Sequence, residues 1–256
     1  MTNGICLMVK KFILVLIAMY FFIFISGCNA METLQAEHFF SGAQLSLAKA
    51  IQEGDIEEMK SLALKKNLNK PGDQDMTLLF FALQTSYSKK KDQLNILSAL
   101  VKSGADPLQQ VPGMGSIAQV VARSDSPVYM EALLEGGMSP NAIVEDTPII
   151  FYSATEHSFN VLKLLVEKGA DVNKKDSLGQ NVLIEALASM QLDQVEWLLL
   201  NGADPSVKTV NGWQFGNMLE KTINRMEDVK SKTGSKLEEI RIIAIKKGMK
   251  WPPQPY

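Results

Sequence analysis

The sequence has few cysteines, few histidines and no excess of either charge. Its 256 residues include two cysteines, two histidines and a formal net charge of -2. A nearly neutral chain lacks the basic face that nucleic acid binding normally requires, so no nucleic acid partner is predicted. Zinc-ligand spacings, phosphate-binding glycine loops and nucleophile elbows are also missing. We therefore expect no metal, no cofactor, no small-molecule substrate and no enzymatic activity.

Long apolar runs are scarce, and the clearest one lies near the N-terminus. Lys10 and Lys11 precede fourteen apolar residues, from Phe12 to Ile25, and two small residues follow. This order of charged, apolar and small residues is typical of a secretory signal, with translation starting at Met1 or at Met8. The run is short for a membrane span, which needs roughly 20 apolar residues, and a signal anchor is the alternative.

The residues Ile25, Ser26, Gly27 and Cys28 resemble the lipobox of bacterial lipoproteins. The resemblance implies that a signal peptidase recognises the first three residues, and that Cys28 receives diacylglycerol and becomes the acylated N-terminus. Two or three acyl chains hold a protein on a bilayer far more firmly than one chain. Asn29 follows where an aspartate would imply inner-membrane retention, so the expected location is the outer membrane, facing the periplasm. An ordinary secretory signal with an incidental cysteine is the alternative.

The rest of the chain is internally repetitive. The segments LVKSGADPL, LLEGGMSPN, LVEKGADVN and LLLNGADPS place glycines at 104, 137, 169 and 202, separated by 33, 32 and 33 residues. Apolar residues at helical spacing precede each glycine, and glycine readily takes the left-handed conformation that ends a helix. Each block therefore predicts a buried helix that stops at the glycine.

A second, shorter helix is predicted to begin 21 or 22 residues before three of the glycines, and 27 residues before Gly104, where an insertion lengthens the repeat. Thr77, Ser116, Thr147 and Asn181 stand at these positions, and apolar residues follow each of them. Their side chains are expected to cap the helix by accepting a hydrogen bond from a backbone N–H. The sequence thus predicts a series of helix pairs.

These blocks resemble ankyrin repeats, whose period is about 33 and whose pattern runs from T-P-L-H to G-A-D-V-N. The match departs at the histidine, which is replaced by Phe80, Gln119, Ile150 and Ile184. The resemblance implies an all-α solenoid of about six helix-pair units, with short finger loops and atypical terminal caps. The predicted boundaries are a lipoprotein signal peptide at 1–27, a lipidated tether at 28–40, an ankyrin-repeat domain at 41–251 and a tail at 252–256.

The polar residues that recur in this pattern are given structural roles. Asp106, Asp171 and Asp204 lie one repeat apart, too far for a shared ion, and are expected to hold turns by accepting backbone N–H groups. His38 and His157 are expected to be exposed. The cluster Lys89–Lys91 lies in an insertion and is either simply solvated or a contact for anionic head groups or an acidic partner.

The finger loops of such a solenoid, together with its concave face, are its expected protein-binding surface. Apolar residues in loops that are usually polar mark candidate contacts, because aromatic and methionine side chains are enriched at interface centres. Packing of finger against finger is the alternative, in particular for Val111, Ile143 and Leu178. The candidate partner-binding residues are Val111, Met114, Ile143, Val144, Leu178, Val210 and Trp213.

The expected function is therefore protein–protein interaction without catalysis, on a membrane-tethered periplasmic protein. Ankyrin lipoproteins of interbacterial toxin loci resemble this arrangement, and they imply an immunity protein that neutralises an effector such as a type VI secretion phospholipase. The alternative is a periplasmic scaffold that stabilises an endogenous enzyme or envelope complex. The chain itself does not separate these two hypotheses.

Overall fold

A computed structural model describes residues 34–64, 66–87, 91–226, 228 and 230–254 of the chain. The predictions for the signal peptide, for Ile25, Ser26, Gly27 and Cys28, and for Lys89 and Lys90 lie outside these residues. Over the described part of the chain, no helix has the length and apolar character needed to cross a membrane.

The described helices form six consecutive pairs, called pairs one to six below. These are α1 (Gly42–Glu53) with α2 (Ile56–Ala63), α3 (Leu78–Ser86) with α4 (Lys91–Lys102), α5 (Ile117–Ala122) with α6 (Val128–Glu135), a 3-10 helix (Ile149–Ser153) with α7 (Phe159–Glu167), α8 (Val182–Ala188) with α9 (Leu192–Leu200), and α10 (Phe215–Asn224) with α11 (Lys232–Lys246). Two further 3-10 helices span Ala36–His38 and Asp73–Asp75. The predicted all-α array of about six helix pairs is confirmed.

Neighbouring pairs bury each other's apolar faces. Helix α2 packs against α4, α4 against α6, α8 against α10, and α9 against α11. The residue four positions before each repeat glycine is fully buried: Leu100, Leu133, Leu165 and Leu198. Burying one such side chain stabilises the fold by roughly 1.5–3 kcal/mol, so these repeated leucines contribute substantially to the stability of the array.

Three of the four predicted N-caps are confirmed. The Phe80 N–H donates to Thr77 Oγ1 at 3.2 Å, and the Ile184 N–H donates to Asn181 Oδ1 at 3.3 Å. Ser116 forms a full capping box with Gln119, in which each side chain accepts from the other residue's backbone N–H. These bonds satisfy donors that the first turn of a helix leaves without partners.

The fourth predicted cap, Thr147, is wrong. Residues Ile143–Val144 (β1) and Thr147–Pro148 (β2) pair as a two-residue hairpin, and the helix that follows is a 3-10 helix beginning at Ile149. A residue before proline is disfavoured in helical conformation, which suits the extended pairing of Thr147. Glu145 and Asp146 both have positive φ, of 48° and 62°, as a type I′ hairpin turn requires.

Asparagine side chains connect successive pairs at the base of the fingers. The Asp204 N–H donates to Asn173 Oδ1 at 2.8 Å, while Asn173 Nδ2 donates to the Gly202 carbonyl at 3.0 Å. Asn141 makes the same two bonds to Asp171 and Gly169, and Asn69 makes them to Asp106 and Gly104. We call these three residues the asparagine bridges.

The predicted turn role of the repeated aspartates is confirmed. Asp106 Oδ1 accepts the Leu108 N–H, Asp171 Oδ1 accepts the Asn173 N–H, and Asp204 Oδ1 accepts the Ser206 N–H, each at 2.8 Å. The carboxylates thereby fix the chain as it leaves each helix.

Both predicted ends of the repeat domain shift. Phe40 is 3% exposed and packs edge-on against Phe81 at 5.4 Å, so residues 36–40 belong to the first unit and not to a tether. At the other end, Asn217 Nδ2 donates to the Gln254 carbonyl at 3.0 Å, so residues 252–254 fold back on α10 and are not a free tail. The described residues from Ala36 onward form one compact unit.

Candidate functional site

The fingers before pairs five and six enclose an apolar groove. Leu178, on one finger, is 52% exposed, and Val210, on the next, is 68% exposed. With Trp213, Ile184 and Met218 they line a cavity of about 390 Å³, which we call the finger groove. Large apolar side chains exposed together on a folded domain typically mark an interaction site.

Backbone hydrogen bonds hold the two fingers of this groove together. The Val210 N–H donates to the Leu178 carbonyl at 2.9 Å, and the Thr209 N–H donates to the Trp213 carbonyl at 2.8 Å. Gly179 has φ of 76°, and a Cβ there would lie 3.2 Å from the Val210 nitrogen, so glycine suits both the turn and the close approach. The groove is therefore fixed before any partner arrives.

Trp213 is the aromatic side of the groove. It is half-buried, and the Lys221 Nζ lies 5.1 Å from the centroid of its ring. A cation over a tryptophan face is attracted by the negative face of the ring, and this contact helps to fix the indole orientation. Lys221 lies on α10 and Met218 one turn before it, and neither residue was predicted, because finger and helix meet only in the folded repeat.

The remaining predicted contact residues do not all reach the surface. Met114 is 38% exposed and Ile143 is 49% exposed, on the fingers before pairs three and four, and neither lines the finger groove. Val111 and Val144 are only 4% and 3% exposed, so the prediction that their side chains are open to a partner is wrong. Val111 closes its own small loop by pairing with Gly115. Val144 lies in the hairpin, where its carbonyl accepts the Tyr152 hydroxyl at 3.3 Å.

Polar side chains near the inner helices add little chemistry. Glu185 is half-buried on α8, and burial, followed by the neighbouring Asp176 carboxylate, raises the pKa of its carboxyl group. Arg123 stacks its guanidinium over the Tyr152 ring at 4.7 Å. His38 and His157 are exposed, as predicted. In the part of the chain that the structure describes, no three His, Cys, Asp or Glu side chains are grouped to hold a metal ion.

Comparison with known proteins agrees with this architecture. Residues 118–209 match the family model described as ankyrin repeats (3 copies). The fold is an ankyrin-repeat solenoid. No curated protein matches the chain, whereas many solved structures do.

Three of the similar solved structures illustrate the likeness. The ankyrin repeat domain of Bcl-3, a member of the IkappaB protein family, is 19% identical over 78% of this chain and 96% of its own, with a TM-score of 0.53. EF0377, an ankyrin repeat protein, is 19% identical over 79% of this chain and 98% of its own, with a TM-score of 0.55. A chain from the complex of the Bdellovibrio bacteriovorus predatory endopeptidase Bd0816 with immunity protein Bd3460 is 20% identical over 76% of this chain and 97% of its own, with a TM-score of 0.50.

Ankyrin repeats indicate a protein–protein interaction module, and the fold is typically a non-enzymatic scaffold. The finger groove combines exposed apolar side chains with two fingers that backbone hydrogen bonds hold together. We therefore take it as the candidate partner-binding site.

Proposed function

We propose that the protein is a lipid-anchored periplasmic ankyrin-repeat protein that binds and neutralises a toxic protein effector without catalysis. The finger groove carries this proposal. Its exposed Leu178 and Val210 flank a half-buried Trp213, which is the composition of an anchor pocket at the centre of an interface. A phospholipase delivered by a type VI secretion system is the effector class that we propose.

The location of the partner follows from the proposed anchor. Acylation at Cys28 would leave seven residues before Ala36, where the packed unit begins. At about 3.3–3.6 Å per extended residue, the first unit would stay within about 30 Å of the anchored cysteine. An enzyme that attacks the same membrane would meet the solenoid at high local concentration.

The comparison with the endopeptidase–immunity protein complex gives limited support. That complex contains the immunity protein Bd3460, and a chain of the complex shares this fold at 20% identity. That likeness concerns architecture, and the choice of effector rests on the lipobox and the groove.

The decisive experiment isolates the partner and then disrupts the groove. The acylated chain is used to capture proteins from the periplasm of its host and of competing bacteria, and each partner is expressed with and without the chain. We expect one partner to be toxic in the periplasm and to be neutralised by the wild-type chain. Trp213→Ala and Val210→Asp should each weaken binding by at least about tenfold, as loss of an interface anchor typically does.

The matched control is Ile242→Asp, which puts the same charge on an apolar side chain of α11 that is 48% exposed. Binding that is unchanged in the Val210 and Trp213 variants, or equally lost in the Ile242 variant, would reject the groove. A partner that is harmless and belongs to the host's own envelope would instead establish the scaffold function.

The lipid anchor is tested separately. Cys28→Ser should abolish acylation and release the protein from membranes, and continued membrane residence would point to a signal anchor.

A further inference from the structure

A second groove lies where the turns between the helices of pairs four, five and six meet. It encloses about 700 Å³, and none of the residues that line the finger groove line it. Its polar lining includes Glu156, Asp193, Gln194, Lys232, Lys236 and Glu239. We call it the turn groove.

The hydrogen bonding of the Gln194 side-chain amide determines which ligand chemistry suits the turn groove. The residue is 2% exposed, and its Nε2 donates to the Thr155 carbonyl of the preceding pair at 2.6 Å. Its Oε1 is buried and has no hydrogen-bond partner among the described residues. An unpaired buried acceptor raises the free energy of the unbound protein. A ligand that donates a hydrogen bond to Oε1 removes this cost and therefore binds more tightly.

The second pair provides an internal comparison for this glutamine. Gln93 makes a similar bridge there, although it lies three residues earlier relative to its repeat glycine, and its Nε2 donates to the Gln52 carbonyl of the preceding pair at 3.0 Å. Its Oε1, however, accepts the Thr85 hydroxyl at 3.2 Å, and Ser189 stands at the position of Thr85 in pair five. The glutamine bridge between units is thus common to both pairs, while the open acceptor is particular to the turn groove.

The charges around the turn groove favour a cation. Lys236 is held by Asp193 at 3.2 Å and by Glu196, and its hydrogen bond to Glu196 raises its pKa, so its charge is already compensated. Glu156 and Glu239 are exposed at the rim, facing the groove with Lys232. Glu156 lies 4.0 Å from the exposed His157 imidazole. With Glu196 counted, four carboxylates face two lysines.

We infer that the turn groove binds an arginine or lysine side chain of a partner protein. The cationic head donates a hydrogen bond to Gln194 Oε1, and the Glu156 and Glu239 carboxylates lie around its charge. Because Oε1 is covered in the unbound groove, binding includes a side-chain shift at the rim. The carboxylates would repel an anionic ligand. A ligand that has only acceptors could not donate a hydrogen bond to Gln194 Oε1.

The test titrates the full chain, in detergent, with the peptide acetyl-Gly-Arg-Gly-amide and follows the side-chain amide of Gln194 by NMR. We expect a saturable shift of that amide, and at least about tenfold weaker binding of the same peptide with citrulline, which keeps the shape but not the charge. Glu239→Gln should weaken binding up to about fivefold, whereas the exposed Glu135→Gln on α6 should not change it.

Gln194→Met and Gln93→Met form the decisive pair of variants. Each removes one bridge between units, so both should reduce stability, and only Gln194→Met should abolish the peptide response. An equal loss of response in both variants, equal binding of the citrulline peptide, or the absence of any saturable shift would each overturn the inference. Because no variant here touches Val210 or Trp213, failure at the turn groove is distinguishable from failure at the finger groove.

Discussion

At the scale of single residues, the asparagine bridges connect pair one to pair two, pair three to pair four, and pair four to pair five. Each bridge uses both ends of one amide, accepting an aspartate N–H and donating to a glycine carbonyl of the next unit. A hydrogen bond contributes about 1 kcal/mol net, and two from a single side chain share one cost of side-chain ordering.

Removing one bridge should therefore have a measurable effect. Asn173→Ala is expected to lower the free energy of unfolding by about 1–2 kcal/mol in urea denaturation, because the Asp204 N–H and the Gly202 carbonyl both lose their partner. Asn211→Ala, an exposed finger asparagine, is the control and should change it by less than about 0.5 kcal/mol. Equal effects of the two substitutions would show that the bridge contributes nothing.

The sequence predicted individual residues unevenly. Aspartate turns and helix-ending glycines were predictable because their partners lie within a few positions along the chain. The asparagine bridges span 28–37 residues, and no local signal reports such a contact. The prediction that Val144 is open to a partner was wrong for a similar reason. An apolar finger residue has the same local sequence pattern whether it faces a partner or the protein's own hairpin.

At the scale of elements, the short first helices of pairs two, three and five depend on their caps. Helix α5 has six residues and α3 has nine, lengths at which isolated helices are unstable in water. Capping side chains and packing must therefore supply most of their stability. The fourth pair lacks such a cap, since Thr147 lies in β2 and Pro148 precedes a 3-10 helix.

This difference predicts a ranked set of alanine variants. Thr77→Ala and Ser116→Ala should each lower thermal stability by about 1 kcal/mol, because each leaves the first turn with an unsatisfied N–H. Thr147→Ala, the matched control, should cost clearly less, since its hydroxyl caps no helix and makes one long contact of 3.5 Å to the Glu145 carbonyl. If Thr147→Ala lowered stability as much as Ser116→Ala does, Thr147 would act as a helix cap after all.

At the scale of the whole molecule, a solenoid is stabilised unit by unit, and each unit depends mainly on its neighbours. The first unit is completed by residues 36–40, which place Phe40 against Phe81. Gly72 permits this packing, because a Cβ there would lie 2.2 Å from the Phe39 carbonyl oxygen. The last unit is completed by Met249, which is 5% exposed and lies beside Gly216.

Phe40→Ala should thus open one end of the array. We expect a loss of about 3–5 kcal/mol locally, with amide hydrogen exchange accelerated in α1 and α3 while α9 and α11 keep their protection. Met249→Ala should produce the reverse pattern, with faster exchange in α10 and α11. Uniform acceleration along the chain in both variants would mean that the six pairs unfold as one unit.

The architecture was predictable because a 33-residue period and glycine-terminated helices are repeated four times, so chance matches are excluded by their number. The ends and the grooves were not predictable in the same way. Residues 36–40 carry no repeat signal, and the grooves exist only where loops from different units meet.

The asparagine bridges also divide the array into blocks. At the equivalent positions, Leu108 follows the second pair and Ser206 follows the fifth, and neither side chain carries an amide. The bridges therefore connect pairs one and two and connect pairs three to five. Two junctions between described pairs have no asparagine bridge, the first between pairs two and three and the second between pairs five and six, and we call these junctions seams. A cavity of about 160 Å³ lies at the second seam, between Ser206 and Gly248. The finger groove is held across this seam by the Val210–Leu178 backbone hydrogen bond, whereas the two sides of the turn groove can change their spacing without any asparagine bridge being broken.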